Sequence, residues 1–308
     1  MMKREYHKIF WRPGQEITPE TFIQADNYMI AQQNLIRKLL NRQYYGLLPA
    51  DEVTTPIFSV KASFRRSDVY IDQLTCFGLT RDGCLITLGG DDQLNTLSRR
   101  VSIAACSPGN IYYVVMRVRS FEQSLMEPVE NEETPYSLPV YEFDVKELKR
   151  IEGDELPILK IDFSQQNPEI ETNYIPPCMS ISSCQALTEQ YAQLKQAVAD
   201  ILTSMTKKQE QYRKVLAPVT FLLFDLEQLS PNEPPYYLIQ LLKKTIKTIG
   251  FFVKEIQIDH APVLTEAYIH EDIVGMLQAL AKCFHDIQLF IGQHMVVVEV
   301  EEDFTPRI

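Results

Sequence analysis

Residues 187–229 read LTEQYAQLKQAVADILTSMTKKQEQYRKVLAPVTFLLFDLEQL, and this stretch decides the fold of the second half of the chain. Apolar residues recur at alternating steps of four and three, at Leu187, Tyr191, Leu194, Val198, Ile201, Met205, Tyr212, Val215, Val219, Leu222, Leu226 and Leu229. Lys208 alone breaks this seven-residue frame. The spacing places one apolar stripe along a helix, and residues 183–217, if continuous, would span roughly 50 Å. Because Pro218 lacks an amide hydrogen, we expect the helix to stop or kink near Ala217.

Two further segments towards the C-terminus repeat the three-four spacing. The first, after the prolines at 231, 234 and 235, contains Ile239, Leu242, Ile246, Ile249, Val253 and Ile256, and the second, after Pro262, contains Ile273, Leu277, Leu280, Phe284 and Ile287. Three such segments predict a helical bundle over residues 181–293. Residues 294–308 are expected to form a tail or a short strand.

The apolar stripes can be buried in two ways that periodicity does not separate. Helices joined by short connections can cover one another within one chain, or the longest stripe can face copies of itself in a parallel coiled coil. Large tyrosines at one heptad position favour an assembly of three or more helices. In the second alternative, the contacts between chains are made by Tyr191, Leu194, Val198, Ile201, Met205 and Tyr212.

Residues 1–180 have the pattern of an antiparallel sheet assembly, so the fold class is α+β. The predicted strands, which are short β-branched and aromatic runs, are 57–64, 69–77, 84–87, 111–119, 139–145 and 158–163, and Asp82 with Gly83 suits a hairpin turn. One early helix is expected to begin at Pro19, with Thr18 as its cap. Its apolar face is approximated by Phe22, Ala25, Met29, Gln32, Ile36 and Leu40.

Composition excludes several functional classes. The chain has 308 residues, of which 45% are hydrophobic, and its formal charge is -11, the wrong sign for a nucleic-acid binder. Its six cysteines contain no CxxC pair and are expected to be free thiols. Because no apolar run approaches the roughly 18 residues of a membrane span and no signal peptide begins the chain, we expect a cytoplasmic location.

No motif in the sequence points to catalysis. The nucleophile elbow, the phosphate-binding loop, the dinucleotide-binding turn and HExxH spacing are all absent. Four histidines, at 260, 270, 285 and 294, are too far apart in sequence for neighbouring pairs to lie one helical turn apart. Five carboxylates of the sheet half could include a catalytic pair like that of a glycosidase, but turn and edge positions explain them without chemistry: Asp68, Asp72, Asp82, Asp91 and Asp92. The sequence therefore predicts no catalytic, cofactor-binding or metal-binding residues and no enzymatic activity.

Three short motifs carry a resemblance to a known family. Trp11, Gly14, Ile17, Pro19 and Phe22 resemble the opening of TssK, the baseplate subunit of type VI secretion systems. Further along, residues 45–47 (YGL) resemble the tyrosine and glycine step after the family's first helix, and residues 175–177 (IPP) resemble the segment that closes its first domain. Thr21 stands where family members commonly have a histidine.

The resemblance implies a β-sandwich shoulder like that of phage receptor-binding proteins, then a helical neck that supports a homotrimer. It further implies a structural role in a contractile injection apparatus, near the inner membrane. The expected partners are the wedge proteins TssF and TssG, contacted through a region containing Trp11, Gly14, Pro19 and Phe22. Trp11 would either anchor this interface or fill the sandwich core, whereas Phe22 is expected to pack within its own domain.

The chain also departs from longer members, which continue into a head domain that docks onto the membrane complex. The resemblance therefore implies a short form without that docking activity. The alternative function is a phage-derived tail adaptor or receptor-binding protein with the same architecture.

Overall fold

A computed structural model describes residues 14, 16–40, 44–50, 57–65, 68–89, 99–118, 141–165, 167–253, 256 and 262–293. The chain divides into two compact units. The first contains residues 1–185 and 270–273, and the second contains residues 186–269 and 274–308. Residues 270–273 thus return to the first unit after the chain has passed through most of the second.

The first unit contains one long helix and two antiparallel sheets. Helix α1 is Pro19–Leu40, and the strands are β1 (Gly46–Leu47), β2 (Phe58–Arg65), β3 (Asp68–Leu79), β4 (Leu85–Leu88), β5 (Arg99–Ser102), β6 (Asn110–Val118), β7 (Tyr141–Lys146), β8 (Leu156–Phe163) and β9 (Glu169–Ile170). Strand β3 pairs with β1, β2, β4 and β5, and the second sheet has the order β7-β6-β8-β9. The antiparallel sheets confirm the predicted α+β class.

Contacts between the two sheets form the sandwich core. The Tyr141 hydroxyl of β7 donates to the Thr87 carbonyl of β4 at 2.8 Å. Strand β3 buries Val69 and Ile71, and then Leu74 and Cys76. Buried residues therefore pass from odd to even positions along β3. The reason is a β-bulge: the register of β3 with β2 shifts between Lys61 and Ala62, which leaves one extra residue in β3.

The predicted hairpin turn is present. The Thr80 amide donates to the Cys84 carbonyl at 2.9 Å, and Gly83 has a φ of 88°. A side chain at Gly83 would overlap the backbone carbonyl of Asn34, because α1 crosses directly over this turn. Glycine is therefore required here both for its backbone conformation and for the close approach of the helix.

In the described residues, the second unit contains four long helices and a short one. These are α2 (Gln185–Lys207), α3 (Gln209–Gln228), α4 (Pro235–Phe252), α5 (Pro262–Thr265) and α6 (Ile273–Gln293), where α2 and α6 each begin with one residue of the first unit. The Tyr191 hydroxyl, near the start of α2, donates to the Leu226 carbonyl near the end of α3 at 2.8 Å. Helices α2 and α3 are therefore antiparallel.

Lys208 forms the turn between these helices, so residues 183–217 are not one continuous helix. The residue that interrupts the apolar frame is thus the point where the chain reverses. Its amine donates to the Ile291 carbonyl at 2.6 Å, near the end of α6. Pro218 lies inside α3, so the helix does not stop near Ala217.

Both of the later heptad segments are buried in the bundle, as expected for core-facing stripes. The predicted tail or strand at 294–308 lies outside the described residues. Within the described part of the chain, no helix is both long enough and apolar enough to cross a bilayer.

Candidate functional site

Helix α1 packs against the first sheet through its polar side. Asn27 is the one buried residue of the helix. The Asn34 side-chain amide donates to the Cys84 sulfur at 3.5 Å, and the Lys38 amine pairs with the Asp82 carboxylate in the hairpin turn. These three polar residues, spaced by seven and four, lie on one side of the helix. The contacts of Asn34 and Lys38 fix that side to the sandwich.

The apolar stripe of α1 lies on the other side of the helix. At about 100° per residue, the packed polar residues lie roughly 120 to 160° around the axis from Phe22. Phe22 and Met29 are each 59% exposed, Ile36 is 55% exposed and Leu40 is 78% exposed. We call these four residues the α1 outer face. The helix therefore presents its apolar side to solvent, the reverse of an ordinary surface helix.

This orientation corrects the expectation that Phe22 packs within its own domain. Pro19 begins α1 as predicted and is exposed, and Gly14 has a φ of 77° with open space around its Cα. Trp11 lies outside the described residues. Phe22 is thus the one predicted wedge contact that belongs to the α1 outer face. The sequence predicted the other three residues of this face only as part of the apolar side of the helix.

The six residues predicted as contacts between neck helices are core residues of one chain. Val198, Ile201 and Met205 are at most 1% exposed, and Tyr191, Leu194 and Tyr212 are also buried. Helices of the same chain therefore bury this apolar stripe, which is the first of the two alternatives above. These side chains are not open to a second copy, and the trimer itself stays a prediction.

Exposed apolar residues of the second unit lie elsewhere. Phe221 is 71% exposed and Phe224 is 57% exposed, and both lie on α3. Three residues apart, they share one face of the helix. Two neighbouring phenylalanines in solvent are typical of a surface that another protein covers.

Two of the motifs that carried the family resemblance meet in space. The Leu47 amide donates to the Pro177 carbonyl at 2.7 Å, and the Met179 amide donates to the Leu47 carbonyl at 2.9 Å. Gly46 has a φ of 118°, and a Cβ on it would overlap the Pro177 carbonyl group. The close approach of Pro177 therefore requires a glycine at position 46.

A charged cluster surrounds Tyr45, beside this contact. The Tyr45 hydroxyl donates to the Glu271 carboxylate, and Arg81 donates to the Tyr45 hydroxyl at 3.0 Å and to the same carboxylate at 2.5 Å. Nε2 of His270 lies 2.5 Å from the Tyr45 carbonyl oxygen. The cluster holds the returning segment 270–273 within the first unit. Sequence reasoning missed it, because Arg81 and Glu271 are far apart along the chain and match no motif.

Burial dominates the protonation behaviour of this cluster. It raises the pKa of the Tyr45 phenol, and the nearby Glu271 carboxylate raises it further. Burial also lowers the pKa of His270, although the bond to Tyr45 opposes this effect. Tyr45 is therefore a protonated donor and His270 a neutral ring at neutral pH, as expected for a structural network.

The carboxylates considered as a catalytic pair are instead separate ion pairs. Asp68 accepts from Arg100 at 2.8 Å, and Asp72 accepts from Arg65 at 3.0 Å. Asp82 pairs with Lys38 as described above. All six cysteines are free thiols, as predicted. Among the described residues, no group of three His, Cys, Asp or Glu side chains could hold a metal ion.

Comparison with solved structures identifies the fold. The chain matches one in the structure of the type VI secretion system TssK-TssF-TssG baseplate subcomplex with a TM-score of 0.59 and 16% identity, over 92% of this chain and 99% of that one. The chain has a TssK-like fold. The crystal structure of TssK matches with a TM-score of 0.59 and 14% identity, over 96% of this chain and 71% of that one.

A chain in the structure of the baseplate complex from the type VI secretion system also matches, with a TM-score of 0.54 and 15% identity, over 92% of this chain and 100% of that one. No protein-family model and no curated protein sequence matches the chain. At these identities the TssK likeness is a likeness of fold.

Proposed function

We propose that this protein is a structural, non-enzymatic component of a type VI secretion baseplate. In this proposal it is a trimeric adaptor in the cytoplasm near the inner membrane, and it links wedge proteins of the TssF and TssG kind to the rest of the apparatus. The TssK-like fold supports this role, since the similar chains belong to a TssK-TssF-TssG subcomplex and to a baseplate complex.

The observation that carries the proposal is the α1 outer face. Burying a large apolar side chain completely is worth roughly 1.5–3 kcal/mol, and Phe22, Met29, Ile36 and Leu40 each keep more than half of their surface in solvent. Phe22, Met29 and Ile36 repeat at intervals of seven residues, the spacing by which one helix packs along another. We infer that a helix or groove of the wedge covers this face.

Co-purification with the wedge proteins of the same secretion system tests the proposal. The double variant Met29→Glu and Ile36→Glu keeps good helix formers at exposed positions, so it is expected to fold normally while losing the wedge. Ile111→Glu is the matched control, because Ile111 is an exposed apolar residue of the same unit on β6. Equal wedge recovery by both variants would refute the assignment of α1, and no recovery even by the unmodified chain would refute the baseplate role.

For the trimer we propose a contact through Phe221 and Phe224 of α3. The neck stripe is already covered within one chain, so an association between chains requires other apolar surface. Measurement of mass in solution tests this proposal directly. A trimer that becomes a folded monomer on Phe221→Glu supports the contact, and a monomeric unmodified protein contradicts it.

A further inference from the structure

The second unit contains a groove lined by lysines and aromatic rings. Its volume is about 750 Å³, and it lies between α4 and residues 264–268. Its cationic wall is formed by Lys243, Lys244 and Lys247, and its aromatic lining includes Tyr236, Phe251 and Tyr268. In a chain with a formal charge of -11, three lysines around one groove are unusual. Nothing in the proposed baseplate role uses this groove.

The lysines of the groove are available to an anion. Lys243 is 4% exposed, and its amine donates to the Glu266 carbonyl at 2.8 Å, which leaves two further hydrogens for a ligand. Lys244 and Lys247 are exposed, and among the described residues none of the three lysines forms an ion pair. Among the described lining residues, three lysines stand against one carboxylate, that of Glu266, so this part of the lining is net positive.

Burial lowers the pKa of Lys243, and the neighbouring Lys247 lowers it further. An anion bound between these two amines would relieve both effects, because it would replace lost solvation and screen their repulsion. The aromatic rings add apolar surface beside the charges. The groove therefore suits a peptide in which carboxylates alternate with apolar side chains.

One segment of this chain has that chemistry. Residues 295–304 read MVVVEVEEDF, with carboxylates at Glu299, Glu301, Glu302 and Asp303 interspersed with valines and followed by Phe304. This segment lies outside the described residues. It begins two residues after Gln293, the last residue of α6.

The ends of α6 and α4 lie towards the same end of α3. The bond from Lys208 to the Ile291 carbonyl puts the end of α6 beside the α2–α3 turn. Helices α3 and α4 pack together and are joined by residues 229–234, so they are antiparallel and α4 also ends near that turn. Six extended residues from Gln293 reach roughly 20 Å, whereas Lys247 lies only about 8 Å along the helix before the end of α4.

We propose that the groove binds the chain's own acidic segment 295–304 as an extended peptide, with the carboxylates on the lysines and apolar side chains against the rings. Tethering favours this occupant over an equivalent free peptide, since a short linker gives an effective concentration in the millimolar range. The inference is independent of the wedge and trimer contacts, because neither involves α4.

Zero-length carbodiimide cross-linking of the full chain, analysed by mass spectrometry, tests the proposal. We expect amide links from Lys244 or Lys247 to a carboxylate within 299–303. The ion pair between Lys160 and Glu171, whose atoms are 2.8 Å apart, is the internal positive control. If this control cross-links and the groove lysines do not link to the segment, the proposal is wrong. Links that join labelled to unlabelled chains in a mixed sample would instead show binding by a second copy and would overturn the intramolecular arrangement.

Hydrogen exchange provides a second measurement. Lys247→Glu reverses a charge at an exposed position, so the bundle should keep its fold while amide exchange in 295–304 accelerates at least about threefold, the change expected when a contact of roughly 0.7 kcal/mol is lost. Lys282→Glu makes the same charge change on the exposed surface of α6 and should leave this exchange unaltered. Equal exchange in the two variants and the unmodified chain would refute the groove as the binding site.

Discussion

Replacing Gly46 with alanine is expected to destabilise the first unit strongly, because two separate demands converge on this residue. Its φ of 118° lies in a region that side chains disfavour. In addition, a Cβ would overlap the Pro177 carbonyl group and the Cys178 amide nitrogen. The overlap cannot be relieved by rotating a side chain, since the obstructing atoms are backbone.

The magnitude follows from these demands. An unfavourable backbone conformation costs about 1–3 kcal/mol, and forcing extra volume into a packed site typically costs another 1–3 kcal/mol. Separating the two segments would also weaken the bonds between Leu47 and Pro177, at 2.7 Å, and between Leu47 and Met179, at 2.9 Å, each worth about 1 kcal/mol. We therefore expect a loss of roughly 3–6 kcal/mol in the free energy of unfolding.

Gly109→Ala is the matched control for this experiment. Gly109 belongs to the same unit and has a φ of 96°, but a Cβ there would meet nothing within 4 Å. It therefore measures the conformational penalty alone. Denaturant unfolding, with hydrogen exchange to assign the transition to the first unit, should show Gly46→Ala less stable than Gly109→Ala by at least about 2 kcal/mol. A difference below roughly 0.5 kcal/mol would refute the contact between the two motifs.

Three further predictions concern burial, pH and assembly. Ile201→Asp places an uncompensated charge in the bundle core, so circular dichroism should show loss of helix and not merely a smaller assembly with native helicity. Because the pKa of His270 is lowered from its ordinary 6.5, the unfolded chain binds the proton more tightly, and the first unit should lose stability as the pH falls below about 6.5. His270→Gln should flatten this dependence; an unchanged slope of unfolding free energy against pH would exclude His270 as its source. Phe221→Glu should lower the solution mass to that of a monomer while circular dichroism shows the helicity of the parent, and a persistent trimer would exclude this face.

The sequence predicts most elements of the fold because local patterns carry them. The six predicted strands correspond to β2, β3, β4, β6, β7 and β8, and Asp82 with Gly83 forms the turn that such residues favour. The strands that were missed, β1, β5 and β9, have only two to four residues. A strand this short forms because a neighbouring strand pairs with it, and it has too few residues to show a local periodicity.

The helical half shows what periodicity leaves open. A heptad stripe reports which side chains are buried and says nothing about what covers them. The frame continues in phase through Lys208, so two antiparallel helices look like one long helix in the sequence. The cluster around Tyr45 could not be predicted from local patterns. Arg81 and Glu271 meet only after the chain has returned from the second unit, and no spacing along the sequence encodes that return.

Helix α1 is the element where an expectation about packing was reversed. A stripe of apolar residues ordinarily predicts the buried side, but here Asn27 and Lys38 lie on the side that faces the sandwich, and Phe22, Met29 and Ile36 face water. Such exposure is unfavourable for a solitary protein, since apolar patches promote association. The arrangement is reasonable for a subunit whose outer face is covered after folding is complete.

This separation of folding from assembly distinguishes two groups of apolar residues that look alike in the sequence. Residues such as Val198 and Ile201 stabilise the single chain, so their replacement by a charged residue destroys the fold and cannot reveal an interface. Residues such as Met29 and Phe221 are exposed, so their replacement should alter assembly while leaving the fold intact. Under the proposed function, a chain built in this way folds alone and then joins its partners through surfaces that contribute little to its own stability. Its contacts can therefore be dissected one at a time with folded variants.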